Sequence, residues 1–435
     1  MRPLTRSTCV MTLLSLGLPL LSQAAQPAPT PVPTPAAAPG AASLSDQALA
    51  LLQKKAYAAA LPLYEKVLAQ SPDRPELWNE YAICLRQLRR LPAAARAGWR
   101  ALQLEGGKTA PLWHAQVNTF LEAHEWQAAQ ACLEKVEALH KDRAFVAKAW
   151  LNLAFRMLAA DAADAGNGAA EHCRRATRLD PTSSLAWIDL GQAQACAGGE
   201  AKEVLASLEK GLALAEAQKD TQRAEYAKRL IGQVKAKETL RPPVTVGHGW
   251  QTLPAALLRL PEGDARAVVL PLLVDHHYIL LGGTTLTLSV PETWTESFGK
   301  DRPDNPFSVH FTRLGTEGFK VLFSPLSGFG NPLGVLATAK GVARDLLSSS
   351  VEKELPLQEL STPTVKGWWV LSTNKQAAPG IPAKGEYRHL LSLQMDVSGQ
   401  QCVGTVLTNS KAPEVVETCL AVFGSARKAE ASYPK

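Results

Sequence analysis

The sequence predicts an all-α solenoid of helical hairpins followed by an α+β domain with an antiparallel sheet. Three observations carry this reading. Tryptophans at Trp78, Trp113, Trp150 and Trp187 recur at intervals of 35, 37 and 37 residues, each opening a similar phrase: WNEYAICL, WHAQVNTF, WLNLAFRM and WIDLGQAQ. From Leu44 to about Val234 the chain is rich in Ala, Leu, Glu, Lys and Arg with helical periodicity. After Arg241-Pro242-Pro243 the pattern changes to short β-branched and aromatic runs separated by Gly, Pro, Asn or Asp.

In chain order, the first segment has a basic start (Arg2, Arg6), an apolar stretch from Val10 to Leu21 and small residues at Ser22 and Ala24. This is the layout of a secretory signal peptide cleaved near Ala24, and it predicts an exported protein, periplasmic or secreted. The proline-alternating stretch that follows cannot form a core and reads as an extended spacer. The boundaries are 1–24 for the leader, 25–43 for the Pro/Ala-rich linker, 44–240 for the solenoid and 244–430 for the α+β domain. Apart from the leader, no stretch is apolar enough to span a bilayer. The net charge of +6 is modest and interspersed, which argues against a nucleic-acid partner.

Within the solenoid, small residues recur after each tryptophan (Ala94, Ala129, Ala169), and Pro72 and Pro181 close two units as QSPD and LDPT. An earlier unit lacks the tryptophan but has Ala60, Tyr64 and Pro72 in the matching places. On these residues the segment resembles the tetratricopeptide repeat family, whose unit of about 34 residues is helix, turn and helix. The resemblance implies five hairpins and a closing helix from about Thr221 to Lys237. It also implies that Gly191, in the phrase formed with Trp187 and Leu190, is a packing residue where paired helices cross closely. Ala82 and Ala154 take its place in other repeats.

The second half has seven strand-like runs, among them ARAVVLPLLV, TTLTLSVPETW, VKGWWVLSTN and QQCVGTVLTN, and two amphipathic helices, Pro332 to Glu354 and Pro413 to Arg427. Hairpin-linked strands with segregated helices predict an α+β domain. Val290, Pro291 and Trp294, together with the element order, resemble the PsbP/Mog1-like α/β/α sandwich.

No G-x-S-x-G elbow, phosphate-binding loop or C-x-x-C pair is present, so no catalytic residue and no cofactor are assigned. HEWQA at His124 has Ala128 where a zinc protease needs its second histidine, and no metal site is assigned. Asp275, His276 and His277 form the densest titratable cluster of the second half, but on a strand their side chains alternate between faces. SGFGNPLG, residues 327–334, reads as a glycine turn with Asn331 capping and Pro332 opening a helix. Of Trp368 and Trp369, one faces the core and the other is a candidate second-domain contact. Six cysteines remain beyond the leader; Cys402 and Cys419 are a candidate disulfide, and the four in the solenoid read as small core residues.

The function that follows is non-catalytic: a protein-interaction scaffold that seats a polypeptide on the concave face of the solenoid. Residues one, five and eight places after each tryptophan share a helix face. They give Asn79, Ile83 and Arg86, then His114, Asn118 and Leu121 with Glu122 beside them. Leu151, Phe155 and Leu158 follow, then Ile188, Gln192 and Ala195. The face runs from polar at one end to apolar in the middle. A lysine-rich carboxylate clamp, as in chaperone-binding members of the family, is missing. The alternative is an enzyme with an unrecognised hydrolytic or transfer site in the α+β domain, signalled if Asp275, His276 and His277 converge in a pocket.

Overall fold

The structure is a computed structural model that describes residues 43–160, 165–238, 240, 249–280, 284–299, 308–316, 318–326, 334–377 and 386–430. The leader, the linker up to residue 42, the break at 241–243 and the turn at 327–333 lie outside the described residues. Residues from Ser43 onward form one compact unit.

Eleven helices build the N-terminal half. They pair as α1 (Leu44–Gln53) with α2 (Tyr57–Gln70), α3 (Pro75–Gln87) with α4 (Leu91–Glu105), and α5 (Ala110–Ala123) with α6 (Trp126–Leu139). Then come α7 (Arg143–Ala159) with α8 (Ala165–Leu179), α9 (Ser184–Cys196) with α10 (Ala201–Ala217), and the closing α11 (Thr221–Lys235). The recurring tryptophan has a structural task. Its indole N–H donates to the carbonyl six residues earlier: Trp78 to Pro72 at 2.8 Å, Trp113 to Gly107 at 3.0 Å and Trp187 to Pro181 at 3.0 Å. Each pins the turn between repeats while the ring fills the groove beside it. Trp150 departs from this, donating instead to Glu137 at 2.8 Å.

Gly191 lies where α9 and α10 cross closely. A Cβ built there would lie 2.6 Å from Leu208 Cγ, a separation no side chain tolerates. The helix propensity lost at glycine, about 1 kcal/mol, is offset by this contact.

In four of the five hairpins, those whose turns are described, the turn carries a residue in the left-handed region: Lys55, Arg89 and His124 at φ 58, 57 and 59°, and Gly198 at 74°. This is the helix-ending position that glycine usually fills. Two of the non-glycine occupants, Arg89 and His124, reach the sheet domain.

That domain has two antiparallel sheets where one was expected. The smaller runs β1 (Gly249–Gln251), β2 (Leu273–Ile279), β3 (Thr284–Pro291) and β11 (Arg427–Glu430) in that order. The larger has the order β4 (Trp294–Phe298), β5 (Val309–Arg313), β6 (Phe319–Pro325), β10 (Gln400–Thr408), β9 (His389–Val397), β8 (Val365–Thr373) and β7 (Gln358–Ser361). The run TTLTLSVPETW is divided at Pro291, which has no N–H for a ladder, so β3 and β4 join different sheets. Val290 and Trp294, on either side of the break, are both buried. Helix α12 (Gly334–Leu347) lies on β8 and β9, and α13 (Pro413–Gly424) turns Cys419, Val422 and Phe423 into the core.

Two expectations are corrected. The run from Ala265 to Val274 is no strand before Leu273: Ala265–Ala267 is a 3-10 turn and 268–272 has no regular secondary structure. Its apolar residues are needed elsewhere. Leu253, Leu257 and Ala265 are buried in the solenoid's own core, and Val268 and Leu270 pack against it. Residues 253–270 are thus a strap over α4, fixed where Trp99 Nε1 donates to the Leu257 carbonyl at 2.8 Å. Second, the bridge anticipated between Cys402 and Cys419 does not form; both are free thiols. Each is buried in the sheet-domain core, and burial raises both thiols, Cys419 to about 12.

Candidate functional site

The first helices of the hairpins touch one another (α1 with α3, α3 with α5, α7 with α9, α9 with α11) and form the inner tier of the solenoid. On this tier Asn79, Ile83, Arg86, His114, Asn118, Glu122 and Gln192 are half-buried, reachable yet held by neighbours. Phe155 is different. It is 55% exposed in the middle of an otherwise well-packed helix. Leu151, expected beside it, is corrected: it is buried in the solenoid core, as are Leu158 and Leu121. Ile188 is fully buried too, because it packs in the cluster formed with α10 and α11. Gln192 accepts from the Tyr226 hydroxyl at 2.9 Å, which ties α9 to the closing helix.

The tier also holds a charged centre. Arg86 Nη1 is 2.5 Å from Glu122 Oε1, linking α3 to α5. Arg156, one residue after Phe155, lies in the same field. Burial lowers its guanidinium, Glu122 opposes this, and Arg89 and Arg86 lower it further. His114 is pushed down to about 4 by burial and then by Arg86 and His140, so it is neutral near pH 7. Its ring meets Phe145 edge-on at 5.0 Å, and Phe145 stacks on His140.

From this centre a polar chain runs into the sheet domain. Arg89 Nη1 is 3.4 Å from Glu122 Oε2, and Arg89 Nε is 3.4 Å from Glu296 Oε2 on β4. Arg89 also donates to the Gly249 carbonyl at 2.5 Å. Gln251 closes the joint from β1. Its amide donates to the Arg89 carbonyl, and its oxygen accepts the Leu91 N–H at 3.0 Å, capping α4, whose own N-cap residue offers no side chain. Next to it His124 stacks between Trp126 and Trp250, at 4.7 and 4.8 Å, and Trp250 stacks on His277.

Asp275, His276 and His277 do not converge. His276 turns inward, its Nδ1 3.2 Å from Glu296 Oε2; an ionised carboxylate only accepts, so the proton is on Nδ1. Burial would raise the Glu296 carboxyl, but the Arg89 guanidinium and then His276 hold it down to about 2. Asp275 and His277 lie on the opposite face. Asp275 pairs with Arg427 and accepts from Ser289 at 2.6 Å, while His277 bonds Thr252 and Thr287. Among the described residues no group of three or more His, Cys, Asp or Glu is placed to hold a metal. Trp369 is in the sheet core, and Trp368 is partly covered, with the Lys366 ammonium 5.7 Å from its ring. Among the described residues no helix is long and apolar enough to cross a membrane.

Sequence reasoning missed Arg89, Arg156, Gln251 and Glu296. A glutamate in the middle of a strand flanked by Trp294 and Phe298 was the available signal, since an isolated carboxylate is rarely buried without a cation.

Residues 51–97 match the tetratricopeptide repeat family model, and the N-terminal half is a solenoid of that type. No curated protein matches the chain. Solved structures that resemble it include the MamA protein, at 19% identity and TM-score 0.35, covering 41% of this chain and 93% of MamA. YrrB, described as a TPR protein with an unusual peptide-binding site, is 17% identical over 42% of this chain and 88% of its own, with TM-score 0.33. PilF of Pseudomonas aeruginosa is 16% identical over 45% of this chain and 96% of its own, with TM-score 0.29.

Proposed function

We propose that the protein is an exported, non-catalytic scaffold whose solenoid seats an extended or helical polypeptide on its inner face. The observation that carries this is Phe155: a large aromatic, 55% exposed, on a tier where its apolar neighbours are buried. On the same tier Asn118 and Arg86 offer donors to a peptide backbone or an acidic group, while Phe155 receives an apolar side chain. The sheet domain, whose likeness to the PsbP/Mog1-like sandwich belongs to this proposal, braces one end of the groove and offers Trp368 as a second contact. Export rests on the basic, apolar and small-residue order of residues 1–24.

Binding of the polypeptide recovered from an envelope extract tests the reading. Phe155→Ala and Arg86→Ala should each weaken it about tenfold, as interface anchors do, with helical circular dichroism unchanged. Unchanged affinity in both variants would move recognition to the sheet domain. Intact Met1 on protein from the cytoplasmic fraction would remove the export claim.

A further inference from the structure

We propose that the outer tier of the solenoid holds a second binding site, a cavity between α6 and α8 that takes a neutral sugar ring. The site is formed by the second helices of two hairpins and stands apart from the inner face.

The cavity, of about 350 Å³, lies between Trp126 and Gln127 of α6 and His172 and Arg175 of α8, with Met157 of α7 on its wall. This is the lower end of the range for small-molecule sites, about 300–1,000 Å³. The repeat pattern changes at this place. Trp150, alone of the four repeat tryptophans, does not pin its inter-repeat turn and donates to Glu137 of α6. Arg175 and His172 pack against its ring, at 4.3 and 5.1 Å.

The charges around the cavity cancel among themselves. Glu171 pairs with Arg174 at 3.0 Å and with Arg178 at 3.1 Å. Arg175 pairs with Glu137 at 2.8 Å and with Glu134 at 3.5 Å. A charged ligand would find every counter-charge taken.

The groups left unsatisfied are neutral. His172 is 7% exposed, lines the cavity and makes no hydrogen bond among the described residues. Burial pushes its pKa down to about 4 against the pull of Glu171, so at pH 7 one ring nitrogen donates and the other accepts. The indole N–H of Trp126 is buried without an acceptor in the chain. The exposed Gln127 amide adds a donor and an acceptor. Groups that both donate and accept are matched by hydroxyls, which do the same. The Trp126 ring and the Met157 thioether offer apolar surface beside them. A pyranose combines the two requirements, with hydroxyls around its edge and C–H bonds on its faces.

Indole N–H signals of the 15N-labelled full chain test this, with Trp126 identified by the signal lost in Trp126→Phe. The probes are glucose, galactose, mannose and N-acetylglucosamine, with N-methylacetamide as the neutral amide and acetate as the anion. At least one sugar should shift the Trp126 signal saturably, with a Kd of about 1 mM or lower. His172→Phe, which keeps a flat ring, should weaken that sugar about tenfold, the loss of one hydrogen bond. Gln127→Ala should weaken it about threefold and does so from the surface, without touching the core. Maltotetraose and chitotetraose separate the sources: tighter binding than the single sugar assigns a polysaccharide, equal binding a free sugar, and both support the site. No saturable shift with any sugar overturns the proposal. So does N-methylacetamide or acetate binding as tightly as the best sugar, or sugar binding that both variants leave unchanged. The titration uses no polypeptide, so its result is independent of what the inner face binds.

Discussion

Arg89 and Glu296 are 207 positions apart in the chain and 3.4 Å apart in the fold. The arginine ends the first helix of a repeat in a left-handed conformation, and the glutamate is buried in the first strand of the larger sheet. Their contact joins the repeat array to the sheet domain, and through Glu122 it reaches the groove.

Glu296→Gln should therefore destabilise the protein by about 3 kcal/mol at pH 7, the usual effect of breaking a buried ion pair from one side. The carboxyl sits at about 2 in the folded chain against an ordinary value of 4.5. Its stabilising contribution is complete above 4.5 and fades as pH falls toward 2. Urea unfolding of both proteins across pH 3 to 7 should show the deficit of the variant shrinking on the acid side. A constant deficit would mean that shape, and not charge, fixes Glu296.

Gly191→Ala should lower stability although alanine is the better helix former. The new methyl would meet Leu208 at 2.6 Å, and overpacking of this kind costs about 1–3 kcal/mol. Adding Leu208→Ala should recover part of the loss, giving a double mutant less destabilised than the two single changes added. Thermal melts of the three variants decide this.

A fragment ending at residue 240, the boundary the composition suggests, lacks Leu253, Leu257 and Ala265, which complete the solenoid core. A fragment ending at residue 270 keeps them. It should be more stable by roughly 3 kcal/mol, the order expected for two buried leucines. Equal melting temperatures would show that the strap is an accessory and not part of that core.

The contrast between these halves shows what was legible. The solenoid is written in local patterns: the tryptophan spacing, the Pro72 and Pro181 closures and Gly191 all act within one repeat or between adjacent ones. Phe155 was also readable, because its position after Trp150 fixes its face; Leu151 was misplaced because the same face meets neighbouring helices. The strap reads as a strand in sequence, since aliphatic runs look alike whether their partner is a sheet or a helix. The Glu296 joint was out of reach. Its members come from the α3–α4 turn, α5, β1, β2 and β4, and no short-range period brings them together.

The central claim is that the inner face of the solenoid receives a polypeptide. A benzophenone amino acid at position 155, irradiated in envelope extract, tests it most directly, with the same probe at the exposed position Ala131 of α6 as reference. The account predicts a discrete crosslinked polypeptide from position 155, lost on Arg86→Ala, and none from position 131. Equal crosslinking from both positions, or none from position 155, would contradict it.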